Sequence, residues 1–200
     1  MKTMKDILLR AAGLFLIFTL LCGVFYTGAV TGFAQVLFPQ KANGSMIEIG
    51  GVKYGSELLG QYYTDDAHFW GRIMNLDVTT YRDGEGNILM YSAPSNLSPT
   101  SAEYAALVAE RVEKIQKSNP IMKDTAIPVV LVTCSGSGLD PHISPAAAEY
   151  QVTRVATASG KSEQEVREII AKCTDGQFLG IFGEKIVNVL KVNLMLDGIL

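Results

Sequence analysis

Charge is what this sequence has least of. Only 18% of its 200 residues are Asp, Glu, Lys or Arg, and the 30 positions between Arg10 and Lys41 hold none. Basic residues are not in excess, and the formal net charge of −3 excludes nucleic acid as the default partner, since neutralising phosphates needs surplus Lys and Arg. Histidine occurs twice, at His68 and His142, and no cysteine pair has zinc spacing, so no metal site is expected. The three cysteines, with Cys22 inside the uncharged run, exclude a disulfide framework. Cys134 and Cys173 are expected as buried free thiols, a bond between them being the alternative. No phosphate loop of the G-x-x-x-x-G-K-[ST] type and no H-E-x-x-H occurs. With 48% hydrophobic residues, disorder, collagen and coiled coil are excluded as well.

What is present begins with that uncharged run. Apolar character extends from Ala11 to Phe38. A helix over Ile7 to Gly32 would be about 39 Å long, enough to cross a hydrocarbon core of about 30 Å with some tilt. A cleaved signal peptide is the rival, but its apolar region is normally only about 7–15 residues long. Residues 11–34 are therefore read as a single N-terminal transmembrane helix. Lys2, Lys5 and Arg10 precede it and only Lys41 and Lys53 follow closely. The positive-inside bias places residues 1–10 in the cytoplasm and residues 35–200 outside. Gly28 and Gly32 form a small-xxx-small pair that lets helix backbones approach closely, although glycine is also simply frequent in membrane helices.

Residues 35–200 are expected to form a compact extracytoplasmic α/β domain (mixed α+β) with a small sheet. Met46–Ile49 and Val52–Tyr54 around Gly50-Gly51 predict a hairpin. The turn formers of residues 82–100 predict loops. Thr100 and Glu103 predict a capping box opening a helix to about Lys117. Ser144 with Pro145 predicts a helix running to Ser159 and stopped by Gly160. Ser162 and Glu165 predict a third helix with Val166, Ile169, Ile170 and Cys173 inward. Ile127–Thr133 and Ile186–Leu190 are expected as strands, the latter passing into a short segment Asn193–Asp197.

The densest polar motif follows the first of these strands. Ser135, Gly136, Ser137, Gly138, Asp140 and His142 lie in a Gly/Ser loop ahead of a proline-initiated helix. Free N–H groups at such a helix start suit a phosphate or carboxylate, or the loop docks a partner. The bland alternative is a tight turn in which Asp140 and His142 bond their own backbone. A hydrolase elbow is excluded, because the Gly required two residues before Ser137 is Ser135. Gln151, just beyond, carries an amide able to pair with an adenine edge, although such a Gln is usually plain surface. No catalytic residue emerges.

At this loop the chain resembles the C subunit of the bacterial Kdp potassium-transporting P-type ATPase. The blocks carrying the resemblance are Gly55–Gln61, Phe69-Trp-Gly-Arg72, Ser95–Pro99, Ser135–Pro145, Gln151–Ala156 and Val187–Asp197. The chain departs from the family pattern at Ser98, at Ile73-Met74 and at Cys134. The resemblance implies an accessory, non-catalytic subunit in the bacterial plasma (inner) membrane. Its partners would be a channel-like potassium-binding subunit and an ATP-hydrolysing P-type subunit, and the chain indeed lacks the Asp-Lys-Thr-Gly and Gly-Tyr-Gly motifs of those roles. It also implies assembly of the pump and a catalytic-chaperone effect that raises ATP affinity. No intrinsic cofactor is expected, and ATP would be met only through the ATP-hydrolysing subunit, with nucleotide- or partner-binding candidates at Ser135–His142 and Gln151. If the domain lies outside the membrane, that effect is indirect. A membrane-anchored binding or sensing domain unrelated to transport is the alternative.

Overall fold

The computed structural model describes residues 3–200; Lys2, counted above among the basic residues before the apolar run, lies outside them. The chain divides into two compact units, the boundary falling between Met46 and Ile47.

The first unit is helical. Helix α1 (Met4–Phe18) passes into a π-helical stretch at Thr19–Tyr26 and then into α2 (Thr27–Leu37). Together they form one 34-residue helix, long and apolar enough to cross a membrane, and none of its own residues is buried. The wider turns leave a carbonyl accessible, and Thr27 Oγ1 donates to Cys22 O at 2.8 Å. A short α3 (Pro39–Ala42) follows.

The second unit is a mixed α/β domain with three small sheets rather than one. Strands β1 (Met46–Ile49) and β2 (Val52–Ser56) pair as expected across Gly50-Gly51. Both glycines have positive φ, 59° and 81°, which a two-residue turn of the primed type requires. The loops expected over residues 82–100 are only partly loops: β3 (Leu76–Arg82) and β4 (Ile88–Ser92) form a second antiparallel ribbon. Helix α4 (Ala102–Ser118) starts one residue later than expected, because Ser101 Oγ, not Thr100, accepts from Tyr104 N.

Ile127–Thr133 is not a strand. Val129–Leu131 is a 3-10 turn, Val129 is 66% exposed, and Leu131 alone of the three is buried. Cys134 is half-buried and bridges Ile73 instead of ending a strand. The helix expected from Pro145 to Ser159 is interrupted, giving α5 (Pro145–Glu149) and α6 (Val152–Ser159) with Gln151 at the joint and Gly160 as the left-handed stop. Helix α7 (Glu163–Lys172) carries the expected Ser162/Glu165 capping box. Strands β5 (His142–Ile143), β6 (Thr174–Asp175) and β7 (Ile186–Asn188) form the third sheet, with β7 central and antiparallel to both. Beyond Asn188 the expected strand turns into α8 (Val189–Leu196), because Asn188 caps it by accepting from Lys191 N. The main core joins Phe69, Leu131, Val152, Val155, Val166, Val187 and Val192, each at most 1% exposed.

Candidate functional site

The loop between Cys134 and Pro145 spends most of its polar atoms on itself. Ser135 Oγ accepts from Gly138 N, Ser137 Oγ accepts from Leu139 N, and Asp140 Oδ1 accepts from His142 N, at 3.0, 3.2 and 2.9 Å. These are side-chain turns, the bland alternative named above. Ser144 Oγ accepts from Ala147 N, and the helix that follows has only five residues. Gly136 and Ser137 remain exposed.

The same loop ties distant segments together. Gly138, at φ 73°, sits so close to the base of the β3–β4 ribbon that an added Cβ would lie 2.6 Å from Ala93 O and 2.9 Å from Asn75 O. Its carbonyl accepts from Asn75 N at 3.0 Å, and Asn75 Nδ2 donates to Ala93 O, closing the two legs of the ribbon. Leu139 O accepts from Gly60 N at 2.8 Å. Asp140 accepts from Arg72 Nη1 at 3.2 Å, while Arg72 Nη2 donates to Cys134 O. His142 meets Asn188, whose amide also donates to Glu57 O. The loop is therefore a hub for residues 57–60, 72–75, 93 and 188.

Gln151 is not a surface residue. It is 0% exposed and every hydrogen-bonding capacity of its amide is used. Oε1 accepts from Trp70 N at 2.9 Å and from Arg154 Nη2 at 2.7 Å. Nε2 donates to Trp70 O and to Ala147 O, both at 3.1 Å. Asn193 on α8 treats the preceding residue in the same way, accepting from Phe69 N at 2.8 Å and donating to Phe69 O at 3.0 Å. Two buried amides thus satisfy the backbone of Phe69-Trp70 as a neighbouring strand would, and burial without those bonds would leave four backbone groups unpaired.

Arg154 completes the clasp. Its Nη1 donates to the carbonyls of Asp65, Asp66 and His68, and its Nε to Asn119 Oδ1. Burial pushes this guanidinium down to about 10, with Asp66 and Asp65 opposing, so it remains a cation at neutral pH. His68 bridges Asp65 and Asp197 through its two ring nitrogens, at 2.8 and 3.0 Å. Burial alone would lower the His68 pKa, but bonds to the two carboxylates raise it.

Gln151 and the Ser135–His142 loop thus stand in separate networks, the first gripping residues 69–70 and the second residues 57–60 and the ribbon. Arg72, Arg154, Asn188 and Asn193 were not singled out from the sequence, although all four lie inside the blocks that carry the family resemblance. Among the described residues, no three His, Cys, Asp or Glu side chains converge as a metal site would need. In the first unit, Gly28 and Gly32 lie in a shallow concavity of about 350 Å³ with Ala29, Phe33, Val36 and Leu37.

The chain is thus a mixed α/β domain preceded by one helix long and apolar enough to span a bilayer. The family model described as "K+-transporting ATPase, c chain" (KdpC) matches residues 8–198, and the chain belongs to that family. It is 58% identical over 200 residues, 100% of both chains, to the potassium-transporting ATPase KdpC subunit of Clostridium botulinum strain Eklund 17B. It is 62% identical to that of Clostridium perfringens, over 92% of this chain and 93% of the relative. Over 98% of this chain and 96% of the relative, it is 45% identical to that of Polaromonas naphthalenivorans.

Proposed function

We propose that this chain is the accessory subunit of an ATP-driven potassium uptake pump, acting by assembly rather than by chemistry of its own. It is anchored through Met4–Leu37 with its N-terminus in the cytoplasm and its α/β domain outside. The Gly28/Gly32 concavity receives a helix of a channel-like partner, because small residues let two backbones approach. Any rise in ATP affinity at the ATP-hydrolysing subunit is then indirect, a coupling free energy carried through the complex.

The observation that carries the indirect reading is the saturated amide of Gln151. A side chain with both donors and both acceptors engaged has nothing left to offer an adenine edge. The Ser135–His142 loop supports it too, since its hydroxyls and Asp140 are engaged within the fold.

The test is protease added to intact spheroplasts, with an antibody against the C-terminus as reporter. Cleavage without lysis is expected. Protection until lysis would reverse the orientation and remove the topological ground for an indirect effect. Calorimetric titration of the full chain in detergent with ATP should give no heat at millimolar ligand; saturable heat lost in a Gln151 variant that still folds would overturn the indirect mechanism.

A further inference from the structure

The β3–β4 ribbon stands away from the core with apolar side chains on both faces. Register pairs Asp77 with Tyr91 and Tyr81 with Leu89, so Tyr81, Leu89 and Tyr91 share one face. The Tyr81 and Tyr91 rings are 5.2 Å apart, packed on each other and half open to solvent. Ile88 and Met90 point the other way, at 52% and 75% exposure. A lone two-stranded ribbon is marginally stable in water and needs a further layer over its apolar side. This fold supplies a firm base for it, through Gly138 and Asn75, but no cover.

On the Met90 side the ribbon opens into a groove of about 470 Å³, walled by Leu59, Tyr62, Met74, Leu76, Met90 and Leu139. No charged side chain lines it, in a domain whose residues 41–200 carry 19 acidic and 14 basic groups. We infer that the groove and the ribbon face beside it form one docking surface for an uncharged, apolar segment of another chain of the same pump. The inference rests on the subunit role proposed above.

Two features argue against other occupants. The ribbon tip carries Arg82, Asp83 and Glu85, and Asp83 is held ionised by Asn87, its carboxyl below the usual range. A charged tip opposes insertion of the ribbon into lipid. Pairing of β3 with a second copy is opposed by the bulge between Asp77 and Tyr81, where Asp77 accepts from the N–H and hydroxyl groups of Thr79 and Thr80. A sealed bulge breaks the run of free backbone groups that edge pairing needs.

The experiment uses the full chain co-expressed with the rest of the pump in membranes. A benzoylphenylalanine photoprobe replaces Met90 in one sample, Leu59 in a second and the exposed Gln164 on α7 in a third. Irradiation should join the first two, and not the third, to another pump subunit. Adducts to lipid alone, to a second copy of this chain, or none at all would overturn the assignment. In parallel, the double variant Ile88→Glu/Met90→Glu should recover the other subunits about tenfold less well, the scale of losing one buried anchor, while its unfolding temperature stays at the wild-type value. If the wild-type chain recovers no other subunit, the subunit reading falls and takes the surface with it. If wild type and double variant recover them equally, only the surface assignment falls.

Discussion

The Arg154 guanidinium lies over the Trp70 ring, 4.6 Å from its centroid, and the same arginine bonds the Gln151 oxygen that holds the Trp70 backbone. One tryptophan is thus fixed through its ring, its N–H and its carbonyl by two residues of one helix turn. The Trp70 indole N–H is also engaged, donating to Asp65 O at 2.7 Å. The Gln151 block and the Phe69–Arg72 block are therefore hydrogen-bonding partners across 81 positions of sequence.

Replacing Gln151 by Leu should therefore destabilise the fold, not merely alter a surface. Two buried backbone groups of Trp70, the Ala147 carbonyl and one Arg154 N–H would lose this partner, a cost of about 3 kcal/mol. For a domain of this size the unfolding temperature should fall by roughly 6–12 °C, read by thermal denaturation of the full chain in detergent. An unchanged midpoint would mean that the amide is not structural.

Gly138→Ala should loosen the ribbon selectively. The left-handed φ of 73° and the 2.6 Å approach of Ala93 O leave no room for a methyl group without moving a backbone. A cost of about 2 kcal/mol is expected. Amide hydrogen exchange should quicken over residues 76–92 while the Gln151 region stays protected. Equal loss of protection at both places would refute the hub role of the loop.

Parts of this architecture are legible from local spacing and parts are not. The uncharged run, the Ser162/Glu165 box and the Gly50-Gly51 turn depend on neighbours within a few positions, and each is found where its spacing puts it. Ile127–Thr133 has strand-like composition, yet its backbone follows Pro128 into a 3-10 turn and Val129 faces solvent, so tertiary context overrides propensity there. The β3–β4 ribbon is hidden because both its faces are exposed and its bulge breaks alternation, which removes the period-two signal. Gln151 reads as a surface residue because its partner, Trp70, lies 81 positions away. The polar loop shows as a dense motif, but its task of holding the ribbon depends on Asn75 and Ala93.

His68 makes stability depend on pH. Its pKa in the folded chain is raised above the ordinary 6.5, since the bonds to Asp197 and Asp65 outweigh burial. The contribution is fully present below about pH 6.5 and is lost as pH rises through the elevated folded-state value. The stability difference between wild type and His68→Gln should therefore be largest near pH 6 and shrink by pH 8.5. A difference that grows with pH would show that His68 is buried as the neutral form.

Cys173 should resist alkylation. Burial pushes its thiol up to about 11, and its sulfur lies 3.3 Å from Met195 Sδ. At pH 8 roughly one thiol in a thousand is then ionised, and the thiolate is the reacting species. Iodoacetamide followed by peptide mass analysis should leave Cys173 unmodified in the native chain and modify it in denaturant. Native labelling within minutes would contradict that burial.

The π-helical stretch at Thr19–Tyr26 has a geometric consequence for the first unit. Each wide turn takes up one residue more than an α-turn, and one residue corresponds to about 100° of rotation around the axis. Side chains before Thr19 and after Tyr26 are therefore out of phase with a single continuous stripe. The concavity at Gly28 and Gly32 is rotated away from where a straight α-helix drawn from Met4 would place it. A helical rod of this kind behaves like a camshaft, its lobes set at different angles at different heights along the axis.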